Sequence, residues 1–438
     1  MLQTLRNAWK IPDLRHRILF TLMMLVVFRF GAHIPVPYLS AEAMQQFLGS
    51  GTDLFSLFDV FTGGAFSNAT VMAMGVSPYI NASIIIQLLT VAIPSLERLA
   101  KEGLEGRKKL NKITRYLGIA LAFVQGAGLY VTLYNMGSAI TNPSVLTFFV
   151  IVLTFTAGTA FIIWLGERIT EKGLGNGVSL IIFAGIVSRI PTAAYSLYSM
   201  KLGSGITVGG LVFVAAVVVV AVAAITFVVF FSDAERRIPV QYAKRVVGRK
   251  MYGGQSTNIP IKVAMGGVMP IIFASSIMAF PATIVRLLTG GNMPTSGTGY
   301  YILGCLSAGY ASEWWTSVVY AVLYALLILF FTYFYSSIQF NPIELANNMK
   351  KSGGYIPGIR PGKPTSDYIA KISSRLNLVG AFFLAIIAIL PVIIGAVFQI
   401  NALQIGGTSL LIMEGVALET VRQIESQMTM RHYKGFLE

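Results

Sequence analysis

The sequence predicts an all-α polytopic membrane protein of ten transmembrane helices, arranged as two pseudo-symmetric inverted halves of five. Three observations carry that fold class. The 438 residues are 55% hydrophobic and only 12% charged, with a mean hydropathy of +0.70, which is more apolar surface than a water-soluble globule can hide. Stretches such as 211–231 (LVFVAAVVVVAVAAITFVVFF) carry no charge over the roughly 20 residues that a helix needs to cross about 30 Å of hydrocarbon. Basic residues also gather in alternate loops, as they do in a chain threaded back and forth through a bilayer.

Residues 1–17 are polar and basic (Arg6, Lys10, Arg15, Arg17) and read as an amphipathic N-terminus on the cytoplasmic side. The first apolar stretch, 18–34, has no small-residue cleavage site after it, so it is expected to stay as a permanent span. Further spans follow at 71–93, 114–135, 145–165, 177–197, 207–231, 261–288, 315–340, 376–399 and 405–425. Each is helical because in lipid the backbone must satisfy its own polar groups.

The loop at 94–115 holds seven basic against three acidic residues, 233–262 seven against two, and 341–375 six against two. These loops follow the second, sixth and eighth spans, whereas the loops after the first, third and ninth hold no Lys or Arg. The parity puts both termini in the cytoplasm. Arg189, Lys201 and Arg286 are the few exceptions.

Ten spans divide into halves at 18–200 and 201–427, with a cytoplasmic tail at 428–438. An odd number per half inverts the second half relative to the first. The second and seventh spans share a proline within an apolar run, GVSPYINASIIIQLL and GGVMPIIFASSI. Such interrupted helices in matching positions point to a central site between the halves.

Several function classes lack their residues. The one cysteine, Cys305, excludes an intramolecular disulfide or a cysteine-rich metal cluster, and His16, His33 and His432 have no ligand spacing. The run GLGNGVS (173–179) follows an apolar span rather than a strand, so it reads as a turn between helices and not as a nucleotide fingerprint. No phosphate-binding G-x-x-x-x-G-K-[ST] and no H-E-x-x-H occurs, and Asn68 and Asn81 match glycosylation acceptors only by chance beside apolar segments. The spans hold no paired nucleophile and base, so neither an enzyme nor a cofactor is expected. Two ionisable residues in the spans stand out, Arg29 near the outer end of the first and Glu414 in the last. They leave one alternative, an ion-coupled secondary transporter with broken helices.

The basic loops beside the helices attract anionic lipids. Two of them, 233–262 and 341–375, are also long enough to project, and sequences such as RRIPVQYAKR and KKSGGYIPGIRPGKP suit acidic or RNA-containing partners.

The segments TGGAFSNAT, PYINASIIIQLLT, EGRKKLNKITRY, WLGERITEKGLGNGVSLIIFAGIV, ERRIPVQYAKR, QSTNIPIKVAMGGVMPIIFASSI, NPIELANNMKKSGGYIPGIRPGKPT and GGTSLLI, in this order, closely resemble the bacterial SecY family. That family supplies the channel subunit of the general protein-secretion translocase, and the likeness runs from Arg15 to about Gln427. It implies an hourglass pore between the two halves, in the cytoplasmic (inner) membrane, with a constriction ring of aliphatic side chains. Matched motif by motif, the ring falls on Val76, Ile80, Val178, Ile182, Ile272 and Ile412. Val76 and Val178 stand where the family usually has isoleucine.

The resemblance also assigns the stretch 54–68, too polar for a span, to a re-entrant plug helix (Leu54, Phe55, Leu57, Phe58, Val60, Phe61, Gly63, Gly64, Phe66). It assigns a lateral gate between the second and seventh spans to Ser83, Gln87, Ser275 and Ser276. Cytoplasmic docking falls to Arg236, Arg237, Lys244, Arg245, Arg249 and Arg360. The implied partners are the small membrane subunits SecE and SecG, the SecA motor ATPase, the ribosome with its RNA, and precursors bearing signal peptides.

Overall fold

The computed structural model describes residues 2–49, 59–135, 137, 139–202, 208–242, 245–247, 250–252, 256–263, 265–289, 294, 296–307, 313–398 and 407–434. Each of the ten expected spans contains a helix: α2 (Pro12–Gly31), α4 (Ser77–Ala92), α6 (Leu104–Asn135), α7 (Val145–Lys172), α8 (Gly177–Leu202), α9 (Val208–Ser232), α10 (Met269–Leu288), α12 (Trp314–Gln339), α14 (Lys363–Phe398) and α15 (Gly407–Lys434). Shorter helices are α1 (Leu2–Trp9), α3 (Ala41–Gly49), α5 (Pro94–Lys101), α11 (Thr298–Leu306) and α13 (Pro342–Lys351). Six of the ten, α6, α7, α8, α9, α12 and α14, are by themselves long and apolar enough to cross a bilayer, and α4 with α5 forms a broken seventh, bent by 102°.

Local chemistry sets the ends. The bend between α4 and α5 lies at Ile93, which is extended (φ −109°, ψ 115°) because Pro94 follows it and starts the next helix. Ser144 caps α7 by accepting the Thr147 amide at 3.2 Å, and Asn341 caps α13 by accepting the amides of Ile343 and Glu344. Ahead of α8, the Asn176 side chain accepts the Val178 amide at 3.1 Å.

Two expected span starts move. The second span becomes helical only at Ser77, not at 71, because residues 71–76 form turns that include Gly75 in the left-handed region (φ 57°). The seventh begins at Met269 rather than 261, because 256–262 is a strand. Helices α6 and α14 each run about three turns beyond the apolar segment into the neighbouring basic loop.

The basic loops fold, which the hydropathy pattern gave no reason to expect. Strand β1 (Glu235–Tyr242) pairs antiparallel with β4 (Ser256–Lys262) and with β5 (Gly354–Tyr355), in the order β4-β1-β5, while β2 (Arg245–Val247) and β3 (Lys250–Tyr252) make a second pair. The β1–β5 pairing joins the two long loops, and the Tyr355 hydroxyl donates to Gln241 across it at 3.0 Å. Alternation along β1 sends Ile238 and Val240 inward onto Ile261, Met349, Ile356 and Ile369, and leaves Arg236 and Arg237 outside.

Three large apolar centres organise the described part of the bundle, beside a small one where Ala8, Leu14, Leu174 and Ile424 meet. One unites α9, α10, α12 and α14 around Ile271, Phe273, Ile328, Phe331 and Phe383, and Ile84 of α4 packs into it. Another joins α3, α6, α7 and residues 66–74 around Phe66, Leu133, Ile151 and Phe155. The third shares Ile80 and Val268 with the first and contains residues from both halves.

A candidate pore and its seal

The third centre holds every residue expected in the aliphatic ring. Val76, Ile182 and Ile412 are buried in it, and Ile80, Val178 and Ile272 are half-buried against it. They come from four helices far apart in sequence: α4 with its leading residue, α8, α10 and α15. Close backbone approach sets part of this. A Cβ at Gly177 would lie 2.0 Å from the Gly166 carbonyl oxygen, so α7 and the start of α8 touch, and Val178 is held beside Gly166.

A cavity of about 800 Å³ opens on one side of the ring. Ile80, Val178, Ile182, Ile272 and Ile412 line its apolar end, and Asn176, Ser232, Lys262, Glu414, Glu419 and Arg422 line its polar end. Lys262 at the end of β4 marks this as the side of the basic loops. Burial pulls the Lys262 ammonium below its ordinary pKa and Arg422 adds repulsion, against the opposing pull of Asp233, Glu235 and Glu419. Glu414 accepts the Ser232 hydroxyl at 3.1 Å on one oxygen, while its buried Oε1 has no partner. Arg422 pairs with Asp233.

Residues 59–76 do not line the cavity. Of them, Val60, Ala65, Met72 and Val76, with Phe61 packed against them, belong to the same apolar cluster as the other ring positions. Residues 59–62 are helical, then Gly63 (φ 67°) and Gly64 (φ 88°) turn the chain, a conformation that any other residue resists. The returning chain is pinned to the segment after α2, where Val36 donates its amide to Ala69 O at 2.9 Å and Val71 donates to Ile34 O at 3.0 Å.

Polar contacts hold the segment from the other side. Arg29 Nη1 donates to the Gly63 carbonyl at 3.3 Å, and Arg189 Nη1 of α8 lies 2.5 Å from Asp59 Oδ2, while Asp59 Oδ1 accepts the Ser67 amide at 2.8 Å. Sequence reading missed this pair: its members are 130 residues apart, and Arg189 stood out only as an exception to loop polarity. The fit is tight at Gly185, where a Cβ would lie 2.2 Å from the Phe61 carbonyl oxygen. Gly185→Ala is therefore expected to cost about 1–3 kcal/mol by overpacking and to raise amide hydrogen exchange selectively at residues 59–67. Unchanged exchange there contradicts the close seating.

The remaining expected site residues divide. Ser83 and Gln87 line the cavity, and Gln87 Oε1 accepts the Tyr335 hydroxyl from α12. Ser275 and Ser276 are half-buried and do not line it, and Ser275 donates to Ile272 O within its own helix at 2.9 Å. Phe66 and Val60 are buried, whereas Leu54, Phe55, Leu57 and Phe58 fall outside the described residues. Arg236 and Arg237 are exposed on β1, Arg245 opens β2, and Lys244 and Arg249 lie outside the described residues. Arg360 is exposed in a turn between Gly358 (φ 81°) and Gly362 (φ 103°).

Comparison with known proteins agrees with the architecture. The SecY family model matches residues 70–421. The protein translocase subunit SecY of Mycobacterium tuberculosis (strain H37Rv) is 45% identical over 464 residues, with 100% of each chain covered. A solved structure described as a SecY whose plug domain stabilises the closed state of the translocation channel and maintains a membrane seal aligns with TM-score 0.67 at 21% identity, over 94% of this chain and 92% of that one. Sec61 in the canine ribosome–channel complex from the endoplasmic reticulum aligns with TM-score 0.58 at 19% identity, over the same shares. A chain of 438 residues that matches the SecY family model over most of its length and a translocase subunit along all of it is a member of the SecY family.

Proposed function

We propose that this chain forms the pore through which unfolded secretory polypeptides cross the cytoplasmic membrane, and from which apolar segments leave sideways into lipid. The observation that carries the reading is the gathering of six aliphatic side chains from four helices in one cluster that borders the cavity and takes in Val60 and Phe61 of the re-entrant segment. A moving polypeptide presents every kind of side chain. Fixed charges in the wall would bind some of these and stall transport, whereas an aliphatic ring grips none and, when empty, excludes water and ions by dewetting.

Residues 54–68 are the plug in this reading, and the seam from α4 to α10 and α12 is the lateral exit. Ser83 and Gln87 on one side and Ser275 and Ser276 on the other give it separable polar contacts. The termini and the basic loops face the cytoplasm. The β1–β4–β5 unit presents Arg236, Arg237 and Arg360 to a SecA-type motor or to the ribosome, and SecE and SecG pack on the outside of the bundle. The ribosome-bound state of the canine relative supports the second kind of partner. A coupled transporter has no comparable support, because every relative compared is a translocase or channel.

Reconstitution into vesicles with the small subunits and the motor tests this. A precursor bearing a signal peptide should become protected from added protease only when ATP is present. No protection, together with ion-dependent uptake of a small solute, contradicts the proposal.

A further inference from the structure

We propose that Asp59 and Arg189 form an electrostatic latch that sets how readily the re-entrant segment leaves the pore, with Arg29 as an auxiliary catch on the Gly63 carbonyl. The inference rests on reading residues 54–68 as the plug. It goes beyond that reading by naming the contact that decides the closed state.

The geometry separates this contact from ordinary packing. The Asp59 side chain is only 5% exposed, and both of its oxygens are used, one by Arg189 at 2.5 Å and the other by the Ser67 amide. A carboxylate so placed is stable only while its partners stay, since breaking a buried pair leaves an uncompensated charge. Val60 and Phe61 touch the ring through non-directional apolar contacts that can slide. The ion pair cannot slide, because Asp59 is fixed to the turn at Gly63–Gly64 and Arg189 to α8, whose Gly185 abuts Phe61.

Outward movement of Asp59 therefore has to break this ion pair. Arg189 is 29% exposed on its side chain, so water reaches the guanidinium as the pair opens and solvates both charges. That makes the latch reversible. Asp59 and Arg189 are thus positioning residues: they touch no precursor and act by holding the segment.

The experiment uses the full chain with its small partner subunits in planar bilayers, reading ion conductance in the absence of precursor. Four variants are compared: deletion of 54–68, Asp59→Asn, Arg189→Gln, and the Asp59→Asn/Arg189→Gln double. The deletion is expected to leak. Each single variant is expected to raise conductance on the order of tenfold, equivalent to about 1.4 kcal/mol. The double is expected to leak no more than the worse single, because the two changes remove one interaction.

Thermal midpoints of all variants serve as the control for general unfolding. A tight deletion variant overturns the plug reading and the latch with it. A leaking deletion beside tight single variants leaves the plug standing and overturns the latch. Singles whose effects multiply in the double, or whose leak tracks a lowered midpoint, also overturn it in favour of a merely structural pair.

Discussion

Exchanging Ile182 and Ile412 together for serine is expected to make the closed chain leak ions at least roughly tenfold above its starting rate, while a precursor still passes. Both side chains are buried in the central cluster, at 6% and 4% exposure. They also line the apolar end of the cavity. Serine removes most of the aliphatic volume and adds a hydroxyl that holds water, so the dry barrier between the cavity and the re-entrant segment fails. Each exchange also costs stability, on the order of 2–4 kcal/mol for a large-to-small change in a packed site. Flux is therefore measured on vesicles whose content of folded protein has been determined. An unchanged flux per folded copy means that the ring is packing and no more.

Arg360→Glu is expected to reduce motor-driven export by a factor of about 100, near 2.7 kcal/mol of lost docking, with thermal midpoint and membrane insertion unchanged. The side chain is exposed, and its turn is shaped by neighbours rather than by the guanidinium. Gly358 and Gly362 supply left-handed backbone, and the Arg360 carbonyl accepts the Thr365 hydroxyl at 2.8 Å. Surface changes of this kind usually move stability by less than about 0.5 kcal/mol. A reversed charge on the proposed docking surface, by contrast, repels an acidic partner. Arg360→Lys should keep part of the activity, since it keeps the charge and loses only the planar two-pronged contact. Normal export by the glutamate variant removes Arg360 from docking.

How much of this was legible in the sequence depended on the range of the interaction. The ten spans follow from apolar runs and loop charge, which are local properties; a helix occupies each, and six of them with one bent pair are long and apolar enough to cross a bilayer. The starts at Ser77 and Met269 were misplaced because hydropathy sees that 71–76 and 261–268 are largely apolar but not that 71–76 and 265–268 form turns and 256–262 a strand. Pairing of Glu235 with Lys262 and of Gln241 with Tyr355 joins segments up to 114 residues apart. No periodicity within a short loop announces that.

The candidate site shows the same division. The six ring positions were named through motif likeness, since a valine or isoleucine in a membrane helix says nothing by itself about where it points. Their meeting in one cluster is a property of the fold. Asp59 was not singled out, although it is the one acidic residue of 54–68 (LFSLFDVFTGGAFSN) and stands between Phe58 and Val60. What could have pointed to it is the oddity of Arg189, a lone cation in a span whose far end should have none, because such residues persist in membranes when something pairs with them. Glu414 is the corresponding case on the other side of the ring. It accepts the Ser232 hydroxyl and lies on the cavity wall, and no group of residues able to hold a metal is found among the described residues.

The most direct test of a polypeptide path through the central cluster is site-specific photo-crosslinking at Ile80 and Ile272, using a precursor stalled halfway in reconstituted vesicles. The account predicts that both positions label the stalled chain, and that Phe149 on the exposed face of α7 does not. Labelling confined to lipid at Ile80 and Ile272 would contradict it.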